Sequence, residues 1–169
     1  MLTMTLWSAK EERPRELMRV HRDTLVHAPL ARVFAFFADA ANLEQLTPPW
    51  LRFSIRTPPP IIMREGIEID YRISLYGVPL TWRSRIDIWE PGVRFVDRQI
   101  VGPYLWWRHE HRFEPAGNAT RVVDDVEYRP RAAWMSAPRV RRDVGRIFSY
   151  RQAALQHLLP ERRESSDHS

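Results

Sequence analysis

Residues 67–88 read IEIDYRISLYGVPLTWRSRIDI, and this stretch decides most of the architecture. Ile67, Ile69, Tyr71, Ile73 and Leu75 alternate with Glu68, Asp70, Arg72 and Ser74. A period of two buries one face of a strand and wets the other. Tyr76-Gly77-Val78-Pro79 then turns the chain. Beyond it Leu80, Trp82, Ser84, Ile86 and Ile88 share a face, opposite Arg83, Arg85 and Asp87. Pairing Tyr76 with Pro79 sets Ile67 against Ile88, Ile69 against Ile86, Tyr71 against Ser84 and Ile73 against Trp82. Asp70 then meets Arg85 on the outside. The two apolar faces coincide without adjustment, as a hairpin requires.

The same reading extends in both directions. Upstream, Leu51, Phe53 and Ile55 alternate with Arg52, Ser54 and Arg56 until prolines 58–60 break the strand. Downstream, Glu90-Pro91-Gly92-Val93 has Pro then Gly at the centre of a type II turn. It leads to a strand at 93–100. Further strands are expected at 105–114 and 118–128, joined near Gly117-Asn118.

The ends of the domain differ. A first strand falls within 17–27. Ala28-Pro29 opens a helix, where the missing N–H of proline does no harm. Leu30, Val33, Phe34 and Phe37 form its apolar stripe. Asp39 is placed to cap a second short helix through Leu46, which Thr47-Pro48-Pro49 stops. From Arg139 to Leu159, Val140, Val144, Ile147, Phe148, Ala154, Leu155 and Leu158 recur at helical spacing. Gly145 interrupts that run at a cost of about 1 kcal/mol against Ala, which points to close packing or a bend. One strand, two short helices, six strands and a long helix make an α+β protein, its antiparallel sheet covered by the last helix.

Composition narrows the function. The 169 residues are 44% hydrophobic and 11% aromatic, enough for the core of one domain. Residues 1–16 read as a flexible leader, 17–159 as the domain and 160–169 as a disordered tail. Without cysteine there is no disulfide, thiolate metal site or Cys nucleophile. No apolar run approaches the roughly 20 residues of a membrane span. The opening residues make no convincing secretory signal, so a soluble, cytoplasmic protein is expected. All but one of the 26 basic residues are Arg, and the net charge of +5 is spread along the chain among carboxylates. The cluster Arg139, Arg141, Arg142 and Arg146 reads as a solvated helix face, not as a nucleic-acid footprint. A homodimer is left open.

Several segments resemble the START/Bet v 1-like superfamily, also called the polyketide cyclase/dehydrase and lipid-transport group. His27-Ala28-Pro29-Leu30-Ala31-Arg32-Val33-Phe34 is similar to its opening strand and proline-entered helix. Asp39-Ala40-Ala41-Asn42-Leu43-Glu44-Gln45-Leu46-Thr47-Pro48-Pro49-Trp50 resembles the second-helix segment of its bacterial members. Gly77-Val78-Pro79-Leu80-Thr81-Trp82 and Trp89-Glu90-Pro91-Gly92-Val93-Arg94-Phe95 look like its mid-sheet hairpins. The resemblance covers 17–159 and implies a helix-grip fold. About seven antiparallel strands curve around the long C-terminal helix, two short helices follow the first strand, and a cavity for an apolar ligand lies between sheet and helix. The superfamily has no single catalytic signature, so chemistry must be read from the residues.

Continuing the alternation, Phe95 is inward as the partner of Ile88, which carries Asp97 and Gln99 with it. Phe113 carries His111, His109 and Trp107. Val122, Val126 and Tyr128 surround Asp124. Asp97, Gln99, His109, His111 and Asp124 thus form a polar group on an apolar face, with Ser84 and Tyr71 nearby. Pairing Phe113 with Thr120 would put His109 directly opposite Asp124. Buried together, these groups must bond one another, water or a ligand.

Three readings follow. The first is a hydrogen-bonded network that orients a ligand, whose apolar body packs on Ile69, Tyr71, Ile73, Trp82, Ile86, Phe95, Trp107 and Phe148. Ser84 and Gln99 would hold its polar end. The second is cyclase or dehydratase chemistry, in which His109 or His111 acts as a base set by Asp97 or Asp124. The third is a metal. His109-Glu110-His111 puts two imidazoles on one strand face, with Asp97 or Asp124 as a third ligand. An HxH flanked by arginines is too weak to assign one, so no metal and no cofactor are assigned. The expected partner is a small hydrophobic or amphipathic molecule, with no nucleic acid and no integral membrane segment. Trp106, Trp107, Trp82 and Trp134 are stacking surfaces for a planar ligand or plain core filler. Pro130 to Pro138, with Trp134 and Met135, reads as a loop that could gate the cavity.

Overall fold

The computed structural model describes residues 15–131 and 137–160. Residues 1–14 of the expected leader, 161–169 of the expected tail, and the core of the expected gate with Trp134 and Met135 lie outside these residues. Strand β1 (Met18–Val26) is followed by helix α1 (Leu30–Ala38) and two 3₁₀ turns, Ala40–Leu43 and Pro49–Leu51. Then come β2 (Ser54–Ile55), β3 (Glu68–Leu75), β4 (Val78–Glu90), β5 (Arg94–Val101), β6 (Tyr104–Ala116), β7 (Ala119–Pro130) and helix α2 (Ala137–Leu158). The strands form one antiparallel sheet in the order β1-β7-β6-β5-β4-β3-β2.

The start of the chain follows its local signals. Asp39 accepts a hydrogen bond from the Ala41 backbone N–H at 3.0 Å, capping the first 3₁₀ turn. Thr120 donates its hydroxyl to the Ala28 carbonyl at 2.8 Å, which pins the start of α1 to β7. The strand expected over 51–56 shrinks to Ser54–Ile55. Pro48-Pro49 starts a 3₁₀ turn instead, and Arg52 takes a left-handed conformation with φ of 44°. That breaks the alternation the sequence displays.

Two hairpin registers differ from expectation by two residues. Leu75 pairs with Val78, so the first turn is Tyr76-Gly77 alone, with φ of 53° and 83°. Positive φ at both central residues is what a two-residue hairpin turn needs, and its twist matches that of the strands. Tyr71 therefore faces Trp82 instead of Ser84, Ile69 faces Ser84, and Ile73 faces Leu80. Outside, Asp70 pairs with Arg83, whose guanidinium donates to it at 2.7 Å, and not with Arg85. In the last hairpin Ala116 pairs with Ala119, so Phe113 faces Val122 and His111 faces Asp124. A two-residue slip keeps every side chain on its face.

One irregularity does change a face. The β4–β5 register shifts between Ile86 and Ile88, so Ile86 pairs with Asp97 but Trp89, not Ile88, pairs with Phe95. Ile88 pairs with Val96 and leaves the inward face to which the alternation assigns it. Trp89 takes that place, its ring tilted against Phe34 at 5.3 Å and Phe95 at 5.5 Å. An extra residue of this kind also bends the strand and curves the sheet.

Helix α2 closes the concave face. Val140, Val144 and Phe148 pack against Val20, Tyr104, Trp107, Val126 and Tyr128. Leu155 joins Val26, Phe37, Phe95, Phe113 and Val122. Burying such side chains stabilises the fold by about 1.5–3 kcal/mol each. Gly145 marks no close approach. A Cβ there would meet nothing nearer than the Arg22 guanidinium, at 3.8 Å. Among the described residues no helix is long and apolar enough to cross a membrane.

Candidate functional site

Sheet and helix do not meet everywhere. Between them lies a chamber of about 190 Å³, lined mainly by apolar side chains. Ile69, Tyr71 and Ile73 come from β3, Trp82, Ser84 and Ile86 from β4, Phe95 from β5, Trp107 from β6 and Phe148 from α2. Phe36, Phe37, Leu46, Leu51, Phe53 and Met63 complete the wall from α1 and the following loops. Trp82 and Trp107 meet edge to face at 5.2 Å. Trp106 is absent from the lining, and Trp134 lies outside the described residues. The Trp82 indole N–H is spent on the Ser84 hydroxyl at 2.9 Å. Gln99, expected in the site, is absent from the lining too. Its side-chain amide donates to the Tyr104 carbonyl at 2.8 Å and accepts from the Tyr104 N–H at 3.3 Å, clamping the β5–β6 turn.

The polar floor of the chamber is built by register. Asp97 pairs with His109 across β5–β6, and His111 pairs with Asp124 across β6–β7. His109 does not face Asp124 directly, as the Phe113–Thr120 pairing would require, but reaches it diagonally. The His109 Nε2 lies 2.9 Å from Asp124 Oδ1, and His111 Nδ1 lies 3.0 Å from the same oxygen. On the other side, His111 Nε2 is 3.1 Å and His109 Nδ1 is 3.6 Å from Asp97 Oδ2. The two rings lie 3.6 Å apart between centroids, and His111 stacks on Phe95 at 4.1 Å. Asp97, His109 and His111 line the chamber, whereas Asp124 lies beneath them and is 0% exposed.

The sequence reading overlooked Arg151. It sits on the buried stripe of α2, three residues after Phe148 and four before Leu155, where its spacing gives it away. It is 6% exposed. Its Nη2 is 3.2 Å from His111 Nδ1, its Nε is 3.5 Å from Asp124 Oδ2, and its guanidinium covers the Phe37 ring at 5.1 Å. Neither Asp124 Oδ2 nor Arg151 Nε has a hydrogen-bond partner, so only the ion pair serves both.

These contacts order the protonation states. Burial pushes the Asp124 carboxyl up, but the Arg151 charge and the two imidazoles outweigh it and hold it well below the usual range. Burial likewise opposes the His111 hydrogen bond at Asp97, and the bond and nearby charges win, leaving that carboxyl lowered. Burial, and then His111, pushes His109 down to about 4, so its imidazole is neutral at pH 7. Burial and the Asp97 and Asp70 charges push the Tyr71 phenol up, which keeps it protonated beside the chamber. One ligand atom each from Asp97, His109 and His111 lie within 4.8 Å of one another, close enough to share an ion.

Near the chamber a second hollow opens between α2 and the β3–β4 hairpin, sharing Leu51, Leu75, Tyr104 and Ile147 with it. The Tyr76 hydroxyl donates to Asp143 at 2.6 Å, while Arg139 covers the Tyr76 ring and Arg146 the Trp50 ring. Two of the four clustered arginines thus cap aromatic rings there, at 4.3 and 5.3 Å.

The family model described as polyketide cyclase/dehydrase and lipid transport matches residues 26–154. The chain belongs to that family. No curated protein matches it. Among solved structures, the Zhui aromatase/cyclase from Streptomyces sp. R1128 superimposes with a TM-score of 0.70 at 19% identity, covering 91% of this chain and 100% of that one. A START superfamily protein from Mycobacterium smegmatis gives 0.65 at 13%, covering 83% and 96%. A protein from Thermus thermophilus gives 0.58 at 21%, covering 84% and 97%. At these identities the likeness shows the helix-grip fold alone. Membership of the polyketide cyclase/dehydrase and lipid transport family supports a ligand-binding or cyclase-type role.

Proposed function

We propose that the protein binds a small hydrophobic or amphipathic molecule inside the chamber, with its oxygenated end on the polar floor. One observation carries this reading. An apolar hollow with Asp97, His109, His111 and Arg151 converging at one place is the form of a small-molecule site. The apolar body would pack on Ile69, Tyr71, Ile73, Trp82, Ile86, Phe95, Trp107 and Phe148. Tyr71, Ser84 and Arg151 are among the lining groups that keep O–H or N–H hydrogens for a ligand oxygen, Ser84 because its hydroxyl accepts from Trp82. Titration with the neutral apolar dye N-phenyl-1-naphthylamine tests it. Trp82→Ala or Tyr71→Ala is expected to shift Kd at least about tenfold, equal to about 1.4 kcal/mol, through lost wall area. Arg83→Ala, on the outer face with Asp70, should leave it within about twofold. Equal effects from all three variants would refute an internal site.

A second reading has its own support. Asp97 reaches the chamber with 19% of its side chain exposed, backed by two buried imidazoles of which His109 is neutral. That arrangement suits proton abstraction next to a carbonyl, as cyclase or dehydratase chemistry needs. On this reading, His111→Gln should lower turnover of a linear poly-β-ketone about 10²-fold or more while affinity stays. Unchanged turnover, or no turnover by the unaltered protein, leaves binding alone.

A further inference from the structure

Asp97, His109 and His111 bring one ligand atom each to the same point of the polar floor, all within 4.8 Å of one another. Four imidazole nitrogens face carboxylate oxygens, at 2.9 and 3.0 Å on Asp124 and at 3.1 and 3.6 Å on Asp97. An imidazole that gives its N–H to Asp124 turns its other nitrogen, with a lone pair, to the opposite side. If both imidazoles do so, the bare His109 Nδ1 and His111 Nε2 point at Asp97 Oδ2, three lone pairs converging on one spot. If His111 instead donates to Asp97, its bare Nδ1 accepts from Arg151 but stands 3.0 Å from Asp124 Oδ1. The first arrangement is the one whose lone pairs are placed to ligate a cation, and Asp124 Oδ1 lies where it can take both N–H groups.

We propose that Asp97, His109 and His111 bind a divalent first-row transition ion at the floor of the chamber, with Asp124 holding both imidazoles in the ligating tautomer. An ion then satisfies the three lone pairs of the first arrangement, which gives up the Arg151 Nη2 bond to His111 Nδ1 and leaves Arg151 its ion pair with Asp124. A metal-bound histidine characteristically gives its other N–H to a carboxylate, and here one carboxylate oxygen takes both. Arg151 cancels the Asp124 charge, so the three ligands carry one net negative charge toward the ion.

The spacing fits. An ion about 2.1 Å from each donor would see Asp97 Oδ2 and the two nitrogens at angles of about 95° and about 120°, either side of tetrahedral. Two imidazoles and one carboxylate suit Zn²⁺, Co²⁺ or Fe²⁺ and do not suit Mg²⁺ or Ca²⁺. All three ligands line the chamber, so the remaining coordination positions open into it. The ligand class this favours carries a pair of oxygens spaced to chelate, attached to an apolar body. That last step rests on the chamber being the ligand site. Uptake of the ion does not.

The test uses the full chain, stripped with chelator and titrated with Zn²⁺ and, for its visible absorption, Co²⁺. One equivalent per chain is expected, with Co²⁺ bands of a low-symmetry nitrogen and oxygen site. Asp97→Asn keeps the size of the side chain and removes the charged ligand, and it should abolish stoichiometric uptake, as should His109→Ala with His111→Ala. Asp124→Asn should weaken Kd about 10–100-fold. His21→Ala removes the exposed histidine beside Asp125 and should change nothing. Circular dichroism identifies any variant that fails to fold. Less than a tenth of an equivalent in the stripped, folded protein overturns the inference. Uptake that survives in folded Asp97→Asn protein also overturns it. Dye binding by metal-free protein would in that event leave the chamber reading standing.

Discussion

Replacing Arg151 by Met keeps an unbranched apolar stem, gives up the guanidinium contact with Phe37 and removes one charge from the centre of the protein. Asp124 is 0% exposed, and its Oδ2 has no partner but that guanidinium, 3.5 Å away. Stripping one partner from a buried ion pair leaves an uncompensated charge, which costs about 3–5 kcal/mol. With a urea slope of about 2 kcal/mol/M, the unfolding midpoint should fall by about 1.5–2.5 M. Chelator must be present, so that bound metal does not contribute to apparent stability. Asp124→Asn in the same background removes the orphaned charge. The double variant should therefore cost about 1–3 kcal/mol less than the sum of the singles.

Acid gives an independent check of sign. The native Asp124 carboxyl is held below its unfolded value, so its contribution is present above the unfolded pKa and fades as pH falls through the folded one. Without Arg151, burial dominates and that carboxyl rises, so protonation relieves the variant first. The gap between the two proteins should narrow between about pH 7 and pH 4. A cost below about 1 kcal/mol at pH 7, or strict additivity in the cycle, would refute the assignment of Arg151 as the counter-charge of Asp124.

Two further outcomes check the packing by thermal or chemical denaturation. Gly145→Ala should stabilise by up to about 1 kcal/mol, because a Cβ there makes only ordinary contact with Arg22 at 3.8 Å; destabilisation would show that α2 sits closer to β1. Tyr128→Phe should be neutral or stabilising by about 1 kcal/mol, since its hydroxyl is buried without a partner; a loss above about 1 kcal/mol would mean that the hydroxyl is bonded.

The sequence by itself determined the element order and, for most strands, which side chains face inward. Alternation is a local property, and a two-residue slip leaves it intact, so the inner face of Tyr71, Trp82, His109 and His111 is legible although two registers differ by two residues. Those registers depend on turn conformation, and neither Tyr76-Gly77 nor Gly117-Asn118 announces how many residues its turn will use. Ile88 and Trp89 exchanged faces because a bulge is an irregularity between strands, with no local mark in the run that contains it. Gln99 read as a site residue because its face is right, but only the fold brings Tyr104 against its amide. Tertiary structure alone decided that His109, His111, Asp97 and Asp124 share two carboxylate oxygens among four nitrogens. It also decided that Arg151, one charge on an otherwise apolar helical stripe, comes to rest against them. Which residues of a helix meet which residues of a sheet follows from how α2 docks across seven strands, and no single segment carries that angle.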